Sequence, residues 1–283
     1  MRTDFAVIVN SHGRPDFSAA EALRRAGYTG QLFITVDDED DKILEYVARF
    51  GGQNIRIFHK ECVGDYDVED NFSEPMGVVM FARNEAWKMA FAKGLKYFFV
   101  MDDDLKSISY RAVKGGKLKS YQAHGIDSCF EAICDFMESD SRIFGIGFGF
   151  ANDYIGGAER FEDEFGKKRL IMNGYFCKTE RKYSFDGRVC EDSITSLNQA
   201  RAGKIFLNIT SVMMQYNIWM PNKKQGKGGM QDTYKKMSSY AMRCYALMSN
   251  PSCVKIKQVE NGFDTMIQKQ YAYPKILSSR CKK

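Results

Sequence analysis

Apolar and polar positions along the chain fall into two kinds of block. Short unbroken apolar runs, rich in β-branched and aromatic residues, stand at 5–10 (FAVIVN), 32–36 (LFITV), 54–58 (NIRIF) and 97–101 (YFFVM). Each predicts a buried strand. Longer segments at 17–26, 41–50 and 79–93 have helical composition, the last with an amphipathic pattern, and Gly27 and Gly94 sit where helices stop. Further on, 125–139, 191–202 and 233–249 read as helices. The stretches 143–150 (IFGIGFGF), 170–176, 205–216 and 253–256 read as strands. Residues 60–75, 151–170 and 222–232 are polar without apolar periodicity and predict loops.

Strand and helix alternate through the first hundred residues, which predicts a mostly parallel central sheet with helices on both faces. The fold class expected is α/β, a Rossmann-like α/β/α sandwich. The 283 residues read as one domain. The chain is expected to divide near residue 105, 1–105 as a nucleotide-binding half and 106–283 as an acceptor half, on the motifs given below. No repeat or low-complexity segment interrupts them.

Composition narrows the class. Hydrophobic residues make up 44% of the chain, enough for a packed core. MRTDFAVIVN lacks the basic start and long apolar stretch of a signal peptide, and no apolar run nears the ~20 residues of a membrane helix. The expectation is a soluble cytoplasmic protein that does not engage a membrane. Eight cysteines without a CxxC pair argue for thiols rather than a disulfide framework or a zinc site. Three histidines, His12, His59 and His124, give little support to a His-built metal site. The net charge of +5 is uneven: acids crowd the first seventy residues and bases the tail. A basic second half suits a polyanion such as DNA, although on charge alone a solvated surface is the better account.

Four motifs carry chemistry. The strand 97–101 runs straight into Asp102-Asp103-Asp104. Ligands of open α/β sheets bind beyond the carboxyl ends of strands. Three acids placed there repel one another unless a cation such as Mg²⁺ or Mn²⁺ joins them, and that cation can bridge a nucleotide's phosphates. A surface acidic turn is the bland alternative. The loop NSHGRPD after the first strand offers Ser11 and Arg14 to a base and diphosphate. Thr35 and Asp37, ending the second strand, suit hydrogen bonds from uracil or ribose, and Arg83 with Asn84 precedes the acidic strand. Glu191 and Asp192 open a helix, where acids are favoured by the dipole alone. Beside a metal-diphosphate site, one of them reads as a general base. The glycine-rich QGKGGMQDTY provides Lys227, Gly228 and Gly229 for close approach to a phosphate or sugar, with Tyr234 as a stacking surface.

Taken in order, NSHGRPD, TVDD, ARN, VMDDDL and DGRVCED resemble the GT-A glycosyltransferases. The strings NGYFCKTERKYSFDGRVCEDSITS, QGKGGMQDTY, NPSCVKI and YPKIL are similar to the phage DNA-modifying glycosyltransferases associated with TET-type dioxygenases, which are related to the base J glucosyltransferases. That resemblance covers most of the chain. It implies a GT-A fold, a UDP-sugar donor, Mn²⁺ or Mg²⁺, and an acceptor of DNA carrying a 5-hydroxymethylated pyrimidine such as 5-hydroxymethylcytosine. It makes Asp102 and Asp104 the outer acids of a DxD-type motif that hold the metal, with Asp103 between them on the donor. It puts Asp192 in the base position, with Glu191 as the alternative. Ser11 and Arg14 match the first nucleotide loop, and Lys227, Gly228 and Gly229 the loop near donor and acceptor. One departure stands out: no histidine follows His124 to serve as a late metal ligand, leaving Asn261 and Asp264 as substitutes.

The implied reaction is direct displacement at the anomeric carbon, with the acceptor base flipped out or single-stranded. The rival readings are a glycosyltransferase for a glycan, lipid or protein, a nucleotidyltransferase, and a non-catalytic DNA-binding module.

Overall fold

The computed structural model describes residues 1–59, 79–150, 153–154, 157–164, 170–187, 190–217, 248, 250–259 and 262–267. The first half runs β1 (Phe5–Asn10), α1 (Ala19–Arg25), β2 (Gln31–Asp37), α2 (Ile43–Phe50), β3 (Ile55–Phe58), α3 (Val79–Ala92) and β4 (Tyr97–Asp102). The second half adds β5 (Leu105–Lys114), β6 (Lys117–Gln122), α4 (Ile126–Glu138), β7 (Ile143–Phe150), α5 (Ala158–Glu164), β8 (Gly174–Lys178), α6 (Glu191–Arg201) and β9 (Ile205–Tyr216). A separate two-stranded pair, β10 (Val254–Val259) and β11 (Gly262–Ile267), follows.

Nine strands form one sheet in the order β3-β2-β1-β4-β8-β7-β9-β5-β6. The ladders among β3, β2, β1 and β4 are all parallel, as the alternation of strand and helix requires. Beyond β4 the sheet is mixed: β8 is antiparallel to both β4 and β7, and β7 runs parallel to β9.

The period-two geometry of a strand sends alternate side chains to opposite faces. In β1, Phe5, Val7 and Val9 join one core cluster while Ala6 and Ile8 join the other. In β4, Tyr97, Phe99 and Met101 go to the first and Phe98 and Val100 to the second. Both faces are therefore buried, which is why these strands are unbroken apolar runs. Rings pack the first face: Phe176 lies 4.5 Å from Phe99 and 5.0 Å from Phe130, centroid to centroid. Each such buried ring contributes about 2–3 kcal/mol by area.

Several elements depart from the sequence expectation. Helix α3 is not amphipathic: it is buried from Met80 through Trp87 without a solvent stripe, polar Arg83, Asn84 and Glu85 included. Residues 105–122 form the hairpin β5–β6, which the sequence reading left unassigned. Helix α5 occupies part of the expected loop at 151–170, and β8 begins four residues later than expected. The expected loops at 60–75 and 222–232, and nearly all of the expected helix at 233–249, lie outside the described residues. Among the described residues, no helix is long and apolar enough to cross a membrane.

Candidate active site

The carboxyl ends of β2, β1 and β4 lie side by side, with Asn10 in register with both Thr35 and Asp102. The expected site residues of the first half therefore converge at one end of the parallel ladder. Each makes contacts within the chain as well.

Asp103 points inward and is 1% exposed. Ser11 Oγ donates to its Oδ2 at 2.6 Å, and Arg14 Nη2 meets its Oδ1 at 2.9 Å. Tyr46 Oη closes the group, 2.7 Å from Ser11 Oγ and accepting from the Arg14 amide at 2.8 Å. Ser11 and Asp103, expected on the donor, are thus spent on locking the first loop to the acidic turn. Arg14 shares that contact but keeps a half-exposed side chain. Thr35 is fully enclosed and donates its hydroxyl to Asn10 Oδ1 at 2.7 Å, so it shapes the floor of the site rather than offering a group to uracil or ribose. Asp37 is nearly buried and lies 2.5 Å from His12 Nδ1, while the Gly13 amide donates to Asp40 at 2.6 Å. These two acids brace the first loop from its other side.

Asp102 and Asp104 remain. Asp102 keeps a quarter of its side chain exposed. Asp104 has no salt bridge among the described residues. Burial, with the neighbouring charges of Asp102 and Asp103, pushes its carboxyl up to about 7. Asp103 rises to about 6, through burial that Arg14 and Ser11 only partly offset. The acidic turn is therefore short of positive charge. Among the described residues, no group of three or more His, Cys, Asp and Glu side chains is arranged around a common metal position.

Arg83 joins the acidic turn to helix α6. It is 1% exposed, its Nη2 lies 3.2 Å from Asp102 Oδ1, and its Nη1 donates to Glu191 Oε1 at 2.5 Å. The guanidinium lies over the edge-to-face pair of Tyr175 and Phe185, 5.4 and 5.7 Å from their centroids. It is not on the helix surface. Asn84 makes a reciprocal pair with the backbone of Phe185, its Nδ2 donating at 2.9 Å and its Oδ1 accepting at 2.8 Å. Two adjacent residues of α3 thus fix the chain leading into α6.

That chain turns sharply. Gly187 has φ +89° and Cys190, the residue before α6, has φ +59°, a left-handed conformation that costs a non-glycine residue energy. The turn buries Glu191 and Asp192 at the helix start. Burial raises both carboxyls above their ordinary range, with Arg83 acting against it. Glu191 is committed to Arg83. Asp192 has no ion pair among the described residues and accepts only the Ser193 amide, at 2.7 Å. Lys227, Gly228 and Gly229 lie outside the described residues, as do Tyr234 and Asn261.

The family model for TET-Associated Glycosyltransferase matches residues 5–229. The chain belongs to that family. It is a glycosyltransferase, and membership of the TET-associated glycosyltransferase family agrees with the GT-A resemblance of its motifs. No curated protein matches it. Among solved structures, it is similar to a protein from Desulfovibrio desulfuricans G20 provisionally assigned as a nucleotide-diphospho-sugar transferase, at 10% identity over 89% of this chain and 96% of the other, with a TM-score of 0.38. It is also similar to GalNAc-T7 solved with UDP, GalNAc and Mn²⁺, at 11% identity over 79% of this chain and 45% of that one, with a TM-score of 0.41.

Proposed function

We propose that this glycosyltransferase moves a sugar from a UDP-sugar to the hydroxymethyl oxygen of a modified pyrimidine in DNA, with Asp192 as general base. The observation that carries the base assignment is the division of labour in the acidic pair: Arg83 holds Glu191 at 2.5 Å, while Asp192 is left without an ion pair among the described residues.

The donor side rests on Asp102 and Asp104. Their all-oxygen donor set suits Mg²⁺ or Mn²⁺, and the half-buried Asp104, without a salt bridge among the described residues and beside two further carboxylates, is short of a cation's charge. The residues fit such an ion, with the diphosphate and water completing its shell. A divalent ion there supplies positive charge to the leaving UDP. Arg14, half exposed at the same end of the sheet, is the chain's own cation for the diphosphate. Lys227, Gly228 and Gly229 serve the same donor. In the transfer, Asp192 accepts the acceptor's hydroxyl proton, the oxygen bonds to the anomeric carbon, and the bond from that carbon to UDP breaks. The configuration inverts in a single displacement. Residues 1–105 hold most of the donor site and 106–283 the acceptor, with Lys227, Gly228 and Gly229 reaching to the donor as well, within one domain, and the enzyme works in the cytoplasm.

The test is UDP release across a panel of UDP-sugars, with and without duplex carrying 5-hydroxymethylcytosine. Release that requires the modified base, and its loss in Asp192→Asn with UDP binding retained, is the expected result. Turnover on a glycan or protein alone, or pyrophosphate release from a nucleoside triphosphate, overturns the proposal. Loss of UDP binding in Asp192→Asn moves that residue to the donor site.

A further inference from the structure

The hairpin β5–β6 leaves the acidic turn and forms the edge of the sheet. From Leu105 to Gln122 it holds five basic residues, Lys106, Arg111, Lys114, Lys117 and Lys119, and no acid. The register sorts them. Tyr110 pairs with Tyr121, Ala112 with Lys119 and Lys114 with Lys117, so these six side chains share one face. Arg111, Val113, Leu118 and Ser120 take the other, and Arg111 is buried there. The shared face starts against the core at Tyr110 and becomes open, with Tyr121 44% exposed and all three lysines exposed.

The three lysines have no salt bridge among the described residues. Among the other described lysines, Lys42, Lys88, Lys96 and Lys178 each meet a glutamate, while Lys93, Lys106, Lys182, Lys204, Lys255 and Lys257 do not. Protection of an edge strand asks for charge, but it does not ask for acids to be excluded. It also does not ask for Lys114 directly opposite Lys117, because like charges across a ladder are destabilising. An external anion removes that cost. The tip is tight: Gly115 and Gly116 have φ of 60° and 68°, the left-handed pair of a two-residue hairpin.

We propose that this lysine–tyrosine face of the β5–β6 ribbon docks the phosphate backbone of the acceptor DNA. The proposal rests on the DNA-acceptor reading of the active site and adds the surface that holds the duplex. Strand β5 begins one residue beyond Asp104 and rises about 3.3 Å per residue, so the tip lies roughly 30 Å along the strand from the acidic turn. At 3.4 Å per base pair that is roughly nine base pairs from the target base. The ribbon therefore grips flanking duplex and takes no part in the chemistry.

The experiment uses the full chain, a 30-base-pair duplex with a central 5-hydroxymethylcytosine, and a six-nucleotide single strand with the same base. Lys114→Ser/Lys117→Ser/Lys119→Ser is compared with the wild type and with the corresponding triple Arg variant. On the duplex, the Ser variant shows a KM raised at least about tenfold near physiological salt, and a slope of log K against log salt reduced by about 3, for three lost phosphate contacts. Its kcat is unchanged, the Arg variant matches the wild type, and all three proteins are alike on the short strand. Equal KM and salt slope for wild type and Ser variant on the duplex overturn the ribbon while leaving the DNA-acceptor reading in place. Equal weakening on both substrates overturns it too. A wild type that modifies neither DNA yet transfers to another acceptor removes the reading and the ribbon together.

Discussion

Arg83 and Glu191 stand 108 positions apart and meet at 2.5 Å in a contact closed to solvent. The same guanidinium touches Asp102, so one buried arginine serves both the strand end proposed to hold a metal and the helix start proposed to supply the base. An arginine suits this place because its planar fork addresses two carboxylates at once and its cation lies near the rings of Tyr175 and Phe185.

Removing that arginine leaves two enclosed or half-enclosed acids without a counter-charge. Breaking a buried pair from one side costs about 3–5 kcal/mol. Arg83→Met is expected to melt well below the wild type, and Arg83→Met/Glu191→Leu to recover at least half of the loss. Thermal unfolding of both variants checks this. A single variant that melts with the wild type would show that the contact contributes nothing.

The acidic turn sets a pH dependence. Asp104 titrates at about 7 and Asp103 at about 6 in the folded protein, against 3.8 for a free aspartate. Between those values the folded state binds more protons than the unfolded chain, so stability falls as pH rises from about 4 through 7. Asp104→Asn should flatten this dependence and stabilise the metal-free protein near pH 7.5 by about 1–2 kcal/mol. Melting temperatures across pH 4–8 in a chelator, taken as wild type minus variant, measure it. A difference that grows in favour of the wild type with rising pH contradicts the assignment.

Divalent metal should reverse that loss. At a hundredfold excess over its dissociation constant, Mn²⁺ adds about 2.7 kcal/mol to the stability. Asp102→Ala and Asp104→Ala are expected to lose the Mn²⁺-induced rise in melting temperature along with activity. Asp103→Asn behaves differently: it weakens the contacts to Ser11 and Arg14 and lowers the melting temperature, yet keeps the Mn²⁺ response. A wild-type response retained in Asp104→Ala would remove that residue from the metal.

Gly187 is the turn that aims helix α6. At φ +89° an L side chain is strained, and a Cβ there would lie 2.4 Å from Ile194 Cδ1. Gly187→Ala should cost about 1–3 kcal/mol and lower kcat more than it raises the KM for the donor, because it displaces Asp192. Denaturant unfolding and steady-state kinetics read the two effects. Unchanged kcat with lowered stability would separate the turn from the base.

Much of this arrangement is legible in the chain. The strands β1 and β4 are buried on both faces and therefore appear as unbroken apolar runs, and the acids after β4 stand out against them. Family membership agrees with the motif order. Long-range partners do not appear in sequence: nothing in SHGR says that Ser11 and Arg14 are taken by Asp103, or that Thr35 gives its hydroxyl to Asn10. Helix α3 passes for amphipathic because Arg83, Asn84 and Glu85 look like a solvent face, whereas all three are enclosed and partnered. The ribbon β5–β6 escapes a search for charge runs because its lysines are spaced by the period of the strand, and only pairing brings them onto one face.

The grip of α3 on the start of α6 bears on recombination between relatives. Cutting the chain near residue 105, the proposed boundary between donor and acceptor halves, separates Arg83 and Asn84 from Glu191 and Phe185. A chimera that imports a foreign acceptor half succeeds only if its parents agree at all four positions, or if α3 travels with α6. The exchangeable unit in this enzyme is a set of interlocked side chains rather than a length of sequence.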